Sequence, residues 1–186
     1  MKKKIAVLFP GIGYHTDKPL LYYSRALVRE RGYEVIEIRY GQLPSGVKGN
    51  PEKMREAFEQ ALKAVEAQLK EVCFDSCEDI LFISKSMGTA LAASYAMKNR
   101  IAARQVYYTP VKESFEAIGR EGIVFHGTAD SWADTEVICE ECKKRGLPLY
   151  LTEGANHSME TGDTRADLRI MQEIMERTAA YIDKRR

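Results

Sequence analysis

The sequence predicts one three-layer α/β/α domain built on a six-stranded, mostly parallel sheet. Three observations carry that expectation. Short apolar runs alternate with longer amphipathic segments along the whole chain, which is the pattern of strands alternating with helices. Most of the runs are nearly continuous in Val, Ile, Leu, Phe and Tyr, as suits a sheet covered on both faces. The size agrees: 186 residues, 28 Lys plus Arg against 27 Asp plus Glu, and 45% hydrophobic residues fit a single domain spanning 1–186.

Taken in order, the first strand is Lys4–Phe9. Its basic start, Met1-Lys2-Lys3-Lys4, imitates a secretion signal, but the apolar run that follows is only Ile5-Ala6-Val7-Leu8-Phe9 and ends at Pro10. A signal core needs roughly 7–15 apolar residues and a small-residue cleavage site. Amphipathic spacing predicts a helix over Pro19–Arg31, then a strand at Glu34–Arg39 and a helix over Pro51–Val72. The buried run Ile80–Ser84 leads into an Ala-rich helix, Met87–Asn99. Gln105–Tyr108 is followed by a short helical pattern at Lys112–Ile118, and Gly122–His126 by a helix over Asp134–Arg145. Leu149–Thr152 is the last strand, before a helix from about Asp163 to Lys184. Six successive β-α units with right-handed crossovers place helices on both sides of the sheet.

Composition removes several function classes. A net charge of +1 with both signs interspersed gives no field that would favour nucleic acid or an anionic membrane as partner. A small-molecule ligand is the better expectation. No run approaches the roughly 20 apolar residues of a membrane span. The four cysteines, Cys73, Cys77, Cys139 and Cys142, lack the glycine-turned knuckles of a zinc site and read as free thiols of a cytoplasmic protein. No metal or cofactor is expected, and oligomeric state is not legible.

Ligands of parallel α/β sheets bind at the carboxyl ends of the strands, so the residues after each run are the place to seek chemistry. In Ser84-Lys85-Ser86-Met87-Gly88 a serine stands between strand and helix with small residues two before and two after it. Such a turn holds a nucleophile in a strained conformation that only small flanking residues permit. Ser84 replaces the glycine of the usual G-x-S-x-G. The plain alternative is that Ser84 or Ser86 caps the helix.

A serine hydroxyl needs a general base. Of three histidines, His157 follows the last strand by a short loop, His126 ends a strand, and His15 lies in the first loop; His157 is the best placed. An acid must orient it. Asp130, on the loop after the fifth strand, meets the demand, with Asp134 as runner-up and as a helix cap. Backbone N–H groups must face the developing oxyanion. Met87 follows the serine at the helix start, and Ile12 lies in Pro10-Gly11-Ile12-Gly13 after the first strand.

Ser86, Asp130 and His157, in that chain order and on loops after different strands, resemble the α/β-hydrolase family. Gly-Ala-Asn-His-Ser is similar to the family's histidine loop and Gly-Thr-Ala-Asp to its acid loop. The resemblance runs from the first strand to the final helix. It implies Ser86 as nucleophile, His157 as base, Asp130 as acid, and the amides of Ile12 and Met87 as oxyanion hole. Two departures matter. Six strands stand where the family typically has eight, so the first here corresponds to the third of a full member. Only 13 residues, Thr109 to Glu121, occupy the place where members insert a lid. The expected site is therefore shallow and open, walled by Tyr14, His15, Met87, Thr109, Pro110 and Trp132, and suited to small acyl groups.

The leading expectation is a serine hydrolase that cleaves a small carboxylic ester or related acyl compound through an acyl-enzyme. Dinucleotide binding on Gly11-x-Gly13 lacks its third glycine, where Thr16 stands, and no phosphate-loop motif occurs. A binding or scaffold protein on the same fold stays open.

Overall fold

The structure, a computed structural model, describes residues 3–184. Six strands, β1 (Lys3–Phe9), β2 (Glu34–Glu37), β3 (Cys77–Lys85), β4 (Arg104–Tyr108), β5 (Ile123–Gly127) and β6 (Leu149–Thr152), form one sheet in the order β2-β1-β3-β4-β5-β6. Every pairing within it is parallel. Five α-helices connect them: α1 (Pro19–Glu30), α2 (Pro51–Leu69), α3 (Met87–Lys98), α4 (Thr135–Arg145) and α5 (Thr164–Asp183). Among the described residues, no helix is long and apolar enough to cross a membrane.

The three layers follow from the two-residue period of a strand. Ile5, Val7 and Phe9 pack with Ala57, Ala61 and Val65 of α2 and Leu91 of α3. Ala6 and Leu8, between them in sequence, pack with Leu20, Leu21 and Val28 of α1 and Ile174 and Ile182 of α5. Val124 of β5 joins Ile138 and Cys142 of α4 in a third cluster. Both faces of the sheet are therefore covered, which accounts for the continuous apolar runs.

One expected element is different. Lys112–Ile118 is not an α-helix but a short 3-10 turn, Lys112–Glu116. Seven residues after Pro110 are too few for a self-supporting helix, and tertiary contacts dictate the geometry instead. Phe115 and Ile118 enter the third cluster, while the Arg145 guanidinium donates to the carbonyls of Phe115 and Ile118 at 2.6 and 2.8 Å. The other differences are end effects: β2, on the sheet edge, stops at Glu37 rather than Arg39, and β3 starts earlier, at Cys77.

The strand order reverses direction at β1 and β3, the place where a parallel sheet opens a crevice. The consequence is direct contact between the loop after β1 and the turn after β3. A Cβ built on Gly11 would lie 3.1 Å from Cβ of Ser86.

Candidate active site

Ser86 leaves β3 with φ 56° and ψ −126°, in a region that L residues occupy only under constraint. The constraint is visible on both sides. Its N–H donates to the Tyr108 carbonyl at 3.0 Å, and its carbonyl accepts from the Thr89 N–H at 2.8 Å and hydroxyl at 2.7 Å. A Cβ on Gly88 would stand 2.3 Å from the Phe9 carbonyl oxygen and 2.5 Å from that of Pro10, so only glycine allows α3 to start this close to β1. Ser84 fills the other small position, fully buried, its hydroxyl donating to the Val106 carbonyl at 3.1 Å. Neither serine side chain caps α3.

The Ser86 hydroxyl lies instead 2.8 Å from Nε2 of His157, and Nδ1 of that ring lies 2.7 Å from Oδ2 of Asp130. The loops that bring these groups together are bonded to each other. Thr128 N–H donates to the Thr152 carbonyl at 3.0 Å and Ala129 N–H to the Ala155 carbonyl at 3.0 Å. A Cβ on Gly127 would come within 2.2 Å of that Ala155 oxygen. Asn156 tightens the histidine loop by accepting from the N–H groups of Ser158 and Glu160 at 2.7 and 3.1 Å. Asp134, the alternative acid, caps α4, accepting from the N–H of Glu136 at 2.8 Å.

Burial and pairing set the charges. The Asp130 side chain is fully buried, which opposes ionisation, but hydrogen bonds from His157 and the Trp132 N–H outweigh this and hold the carboxyl below its ordinary range. His157, 16% exposed, is driven down mainly by burial and further by the Lys85 charge, against the raising effect of Asp130. The ground state is thus an ionised acid beside a neutral imidazole, the arrangement that lets Nδ1–H donate to Asp130 and leaves Nε2 free to accept a proton.

Two backbone segments adjoin Ser86, the loop after β1 and the start of α3. Gly11 and Tyr14 exchange hydrogen bonds at 3.1 and 3.3 Å, closing a turn with Ile12 and Gly13 at its apex. Ile12 is half-buried against the β1 side of the core. Met87 opens α3, where the first amides of a helix have no intrahelical acceptor. The positive end of the helix dipole adds to any anion held there.

The expected wall residues divide. Trp132, 36% exposed, stacks on the His157 ring, with centroids 5.5 Å apart. Tyr14 is buried, its hydroxyl accepting from the Leu20 N–H at 3.1 Å. Thr109 and Pro110 are buried rather than lining an open wall, and the Thr109 hydroxyl donates to the His157 carbonyl at 3.1 Å. His15 is exposed and accepts from the Asp17 N–H in its own loop. Three further residues stand near the site, of which Lys48 was not identified from sequence. Lys48, from the loop before α2, lays its ammonium over the Trp132 ring and bonds the Ser131 hydroxyl at 3.2 Å. His126 is fully buried, with Nε2 3.0 Å from the Thr135 hydroxyl and Nδ1 3.7 Å from Asp130. Lys85 is also buried, directly before the serine. No local motif marks the Lys48 and Lys85 contacts, which depend on loops distant in sequence, whereas His126 meets Asp130 and Thr135 within nine positions.

Neither a family model nor a curated protein matches the sequence. Solved structures do match in shape. Est1E from Butyrivibrio proteoclasticus, solved with ferulic acid bound, superposes with a TM-score of 0.68 at 14% identity, covering 99% of this chain and 92% of that one. The esterase Pf2001 from Pyrococcus furiosus gives 0.66 at 16% identity, with 97% and 82% covered. An α/β serine hydrolase without a lid from Xanthomonas campestris gives 0.62 at 12%, with 98% and 84% covered. These likenesses show the α/β-hydrolase fold.

Proposed function

We propose that this chain, an α/β-hydrolase fold without a lid, is a serine hydrolase that cleaves small carboxylic esters or related acyl compounds through an acyl-enzyme. One observation carries the reading: the unbroken chain from the Ser86 hydroxyl through His157 to buried Asp130, at 2.8 and 2.7 Å, starting from a serine held at φ 56°. A structural serine needs neither the strain nor the partner histidine.

The steps follow from the geometry. Ser86 Oγ attacks the acyl carbon while its proton passes to Nε2 of His157, and ionised Asp130 stabilises the imidazolium formed. The amides of Met87 and Ile12 receive the oxyanion of the tetrahedral intermediate. His157 then gives its proton to the departing alkoxide. Water, deprotonated by His157, attacks the acyl-Ser86 ester, and collapse returns the proton to Ser86 and releases the acid. Thr109 to Glu121 fold as a short turn close to the body, which favours substrates whose acyl group is small or partly exposed. The esterase names among the structural neighbours support the ester class. The four free thiols and a near-neutral charge of +1 favour a cytoplasmic enzyme acting on small molecules rather than on nucleic acid or a membrane surface.

Incubation with a fluorophosphonate probe, followed by peptide mass spectrometry, tests the proposal. Modification of Ser86, lost in Ser86→Ala, is expected. No labelling, or labelling that persists in that variant, would mean a binding protein on a hydrolase fold.

A further inference from the structure

Among the described residues, the buried side-chain polar atoms left without a hydrogen-bond partner are Oε1 of Gln105 and Nδ1 of His126. The histidine stands at the site. Its side chain is 0% exposed, and Nδ1 lies 3.7 Å from Oδ2 of Asp130, the oxygen that meets Nδ1 of His157 at 2.7 Å. The other carboxylate oxygen, Oδ1, accepts from the Trp132 N–H at 2.8 Å. His126 and Asp130 are held together by the turn between them, in which the Asp130 N–H donates to the Gly127 carbonyl at 3.1 Å. An orphaned buried polar atom in a native site calls for a function, because leaving it unpaired costs stability. Burial holds the His126 ring below its ordinary range, so the neutral ring has one proton to place. A lone pair on Nδ1 would face the negative Oδ2 and be repelled, whereas an N–H there is attracted. Nε2 is then the acceptor, and its donor is the Thr135 hydroxyl, 3.0 Å away at the start of α4.

We propose that His126 is a positioning residue for the triad's acid: as the Nδ1–H tautomer fixed by Thr135, it aims an N–H at Oδ2 of Asp130 and keeps that carboxylate ionised and in place for His157. The proposal rests on the reading of Ser86, His157 and Asp130 as a catalytic triad. Asp130 is fully buried, where a carboxylate is costly unless donors surround it. A separation of 3.7 Å is longer than a hydrogen bond, so the N–H acts on the carboxylate as a dipole on a charge and leaves the short bond to His157 undivided. When His157 becomes an imidazolium, Asp130 must stay the anion rather than take the proton. The dipole of His126 opposes that transfer, and a bare Nδ1 would instead push the carboxylate away from His157.

Two measurements on the intact chain test this. The first is the rate on an aryl ester. Asn places its amide nitrogen where Nδ1 of a histidine stands, and Gln places its amide where Nε2 stands. His126→Asn therefore keeps a donor for Asp130 and loses the Thr135 contact, while His126→Gln does the reverse. Expected is a kcat within a few-fold of native for His126→Asn and roughly 10-fold lower for His126→Gln, with KM little altered in either, since misplacing a catalytic group costs rate rather than binding. Thr135→Val, which removes the hydroxyl that fixes the tautomer, should lower kcat several-fold, and Thr135→Ser should restore it. The second measurement is the proton–nitrogen correlation spectrum of the imidazole rings at pH 8. Nδ1 of His126 should carry the proton and Nε2 should be bare, and Thr135→Val should shift that ring toward the Nε2–H form. An Nε2–H tautomer in the native protein, or equal rates in His126→Asn and His126→Gln, overturns the proposal. If neither histidine variant folds, the native tautomer and the Thr135 pair decide. An active native protein with the Nε2–H tautomer sinks this inference alone, whereas a protein that hydrolyses no ester and takes no fluorophosphonate sinks the triad reading beneath it.

Discussion

The hydroxyl of Thr109 donates a 3.1 Å hydrogen bond to the backbone carbonyl of His157, joining the end of β4 to the loop that carries the base. Thr109 also holds an uncommon backbone, φ 43°, and its N–H donates to the Phe125 carbonyl at 2.8 Å. It is a strut between the sheet and the histidine. Thr109→Val keeps shape and β-branching, so the strain is unchanged and only the hydrogen bond is lost. Expected is a fall in kcat of roughly 10-fold with KM little altered, since small misplacements of a catalytic group are costly. Thr109→Ser should recover most of the rate. Full activity in the valine variant would show that the loop is held adequately by Asn156 and the Ala155 carbonyl.

Asp130 and Asp134 stand four residues apart with separate tasks, and substitution separates them. Asp130→Asn removes the charge that stabilises the imidazolium and should lower kcat by about 10⁴-fold on an aryl ester. Asp134→Asn should leave activity near native, because Asn caps a helix about as well as Asp. Asp134→Ala should cost about 1 kcal/mol of stability, read by urea unfolding, without a matching loss of rate. The opposite pattern of rates would assign the acid to Asp134.

Strain at Ser86 predicts a gain from inactivation. Glycine adopts φ 56° without penalty, and relief of a left-handed nonglycine residue is worth roughly 1 kcal/mol or more. Ser86→Gly should therefore raise the melting temperature by a few degrees while abolishing probe labelling. Ser86→Ala keeps the Cβ and should lose labelling with little of that gain. Equal melting temperatures for all three would mean that the turn is not strained.

Gly88 gives a steric prediction of the opposite sign. Its missing Cβ faces two backbone oxygens, of Phe9 and Pro10, that belong to β1 and its exit. Neither can rotate away as a side chain would. Gly88→Ala must push α3 off β1 and should destabilise by about 3 kcal/mol or more, an overpacking cost at the upper end of the usual range. Gly119→Ala, with open space around its Cβ position, is the matched control and should be close to neutral. A stable Gly88→Ala protein with native activity would refute the close approach.

Local chemistry made the strands, most helices and the serine turn legible, because apolar periodicity and small flanking residues act within a few positions. Lys112–Ile118 misled for the same reason: it has helical spacing, yet the Arg145 guanidinium on the Phe115 carbonyl, the burial of Phe115 and Ile118, and the Thr89 hydroxyl 2.7 Å from that of Ser114 determine what those residues do. Thr109 looked like a wall residue because it follows a strand. Its true partner, the His157 carbonyl, lies 48 positions away. That Lys85 turns inward has no local signal either, and the packing of Tyr14 beside it shows it. Sequence conveys which loops meet at a sheet end more readily than which side chains turn inward there.

That inward lysine leaves a mark on stability. An amine whose folded pKa is pushed from an ordinary 10.5 down to about 7 is proton-free in the native state between those values while the unfolded chain still binds the proton. Stability rises with pH wherever the unfolded state holds more protons. Lys85 should therefore contribute an increasing stability from about pH 7 toward pH 10, at most about 1.4 kcal/mol per unit. Below pH 7 the contribution is flat and unfavourable, because both states are charged and only the native one is desolvated. Other groups also titrate, so the informative quantity is the difference between native protein and Lys85→Met, each unfolded in urea at pH 6, 7, 8 and 9. Lys85→Met should be the more stable at pH 6, and the gap should narrow steadily above pH 7. Parallel curves across the series would place the ammonium in water.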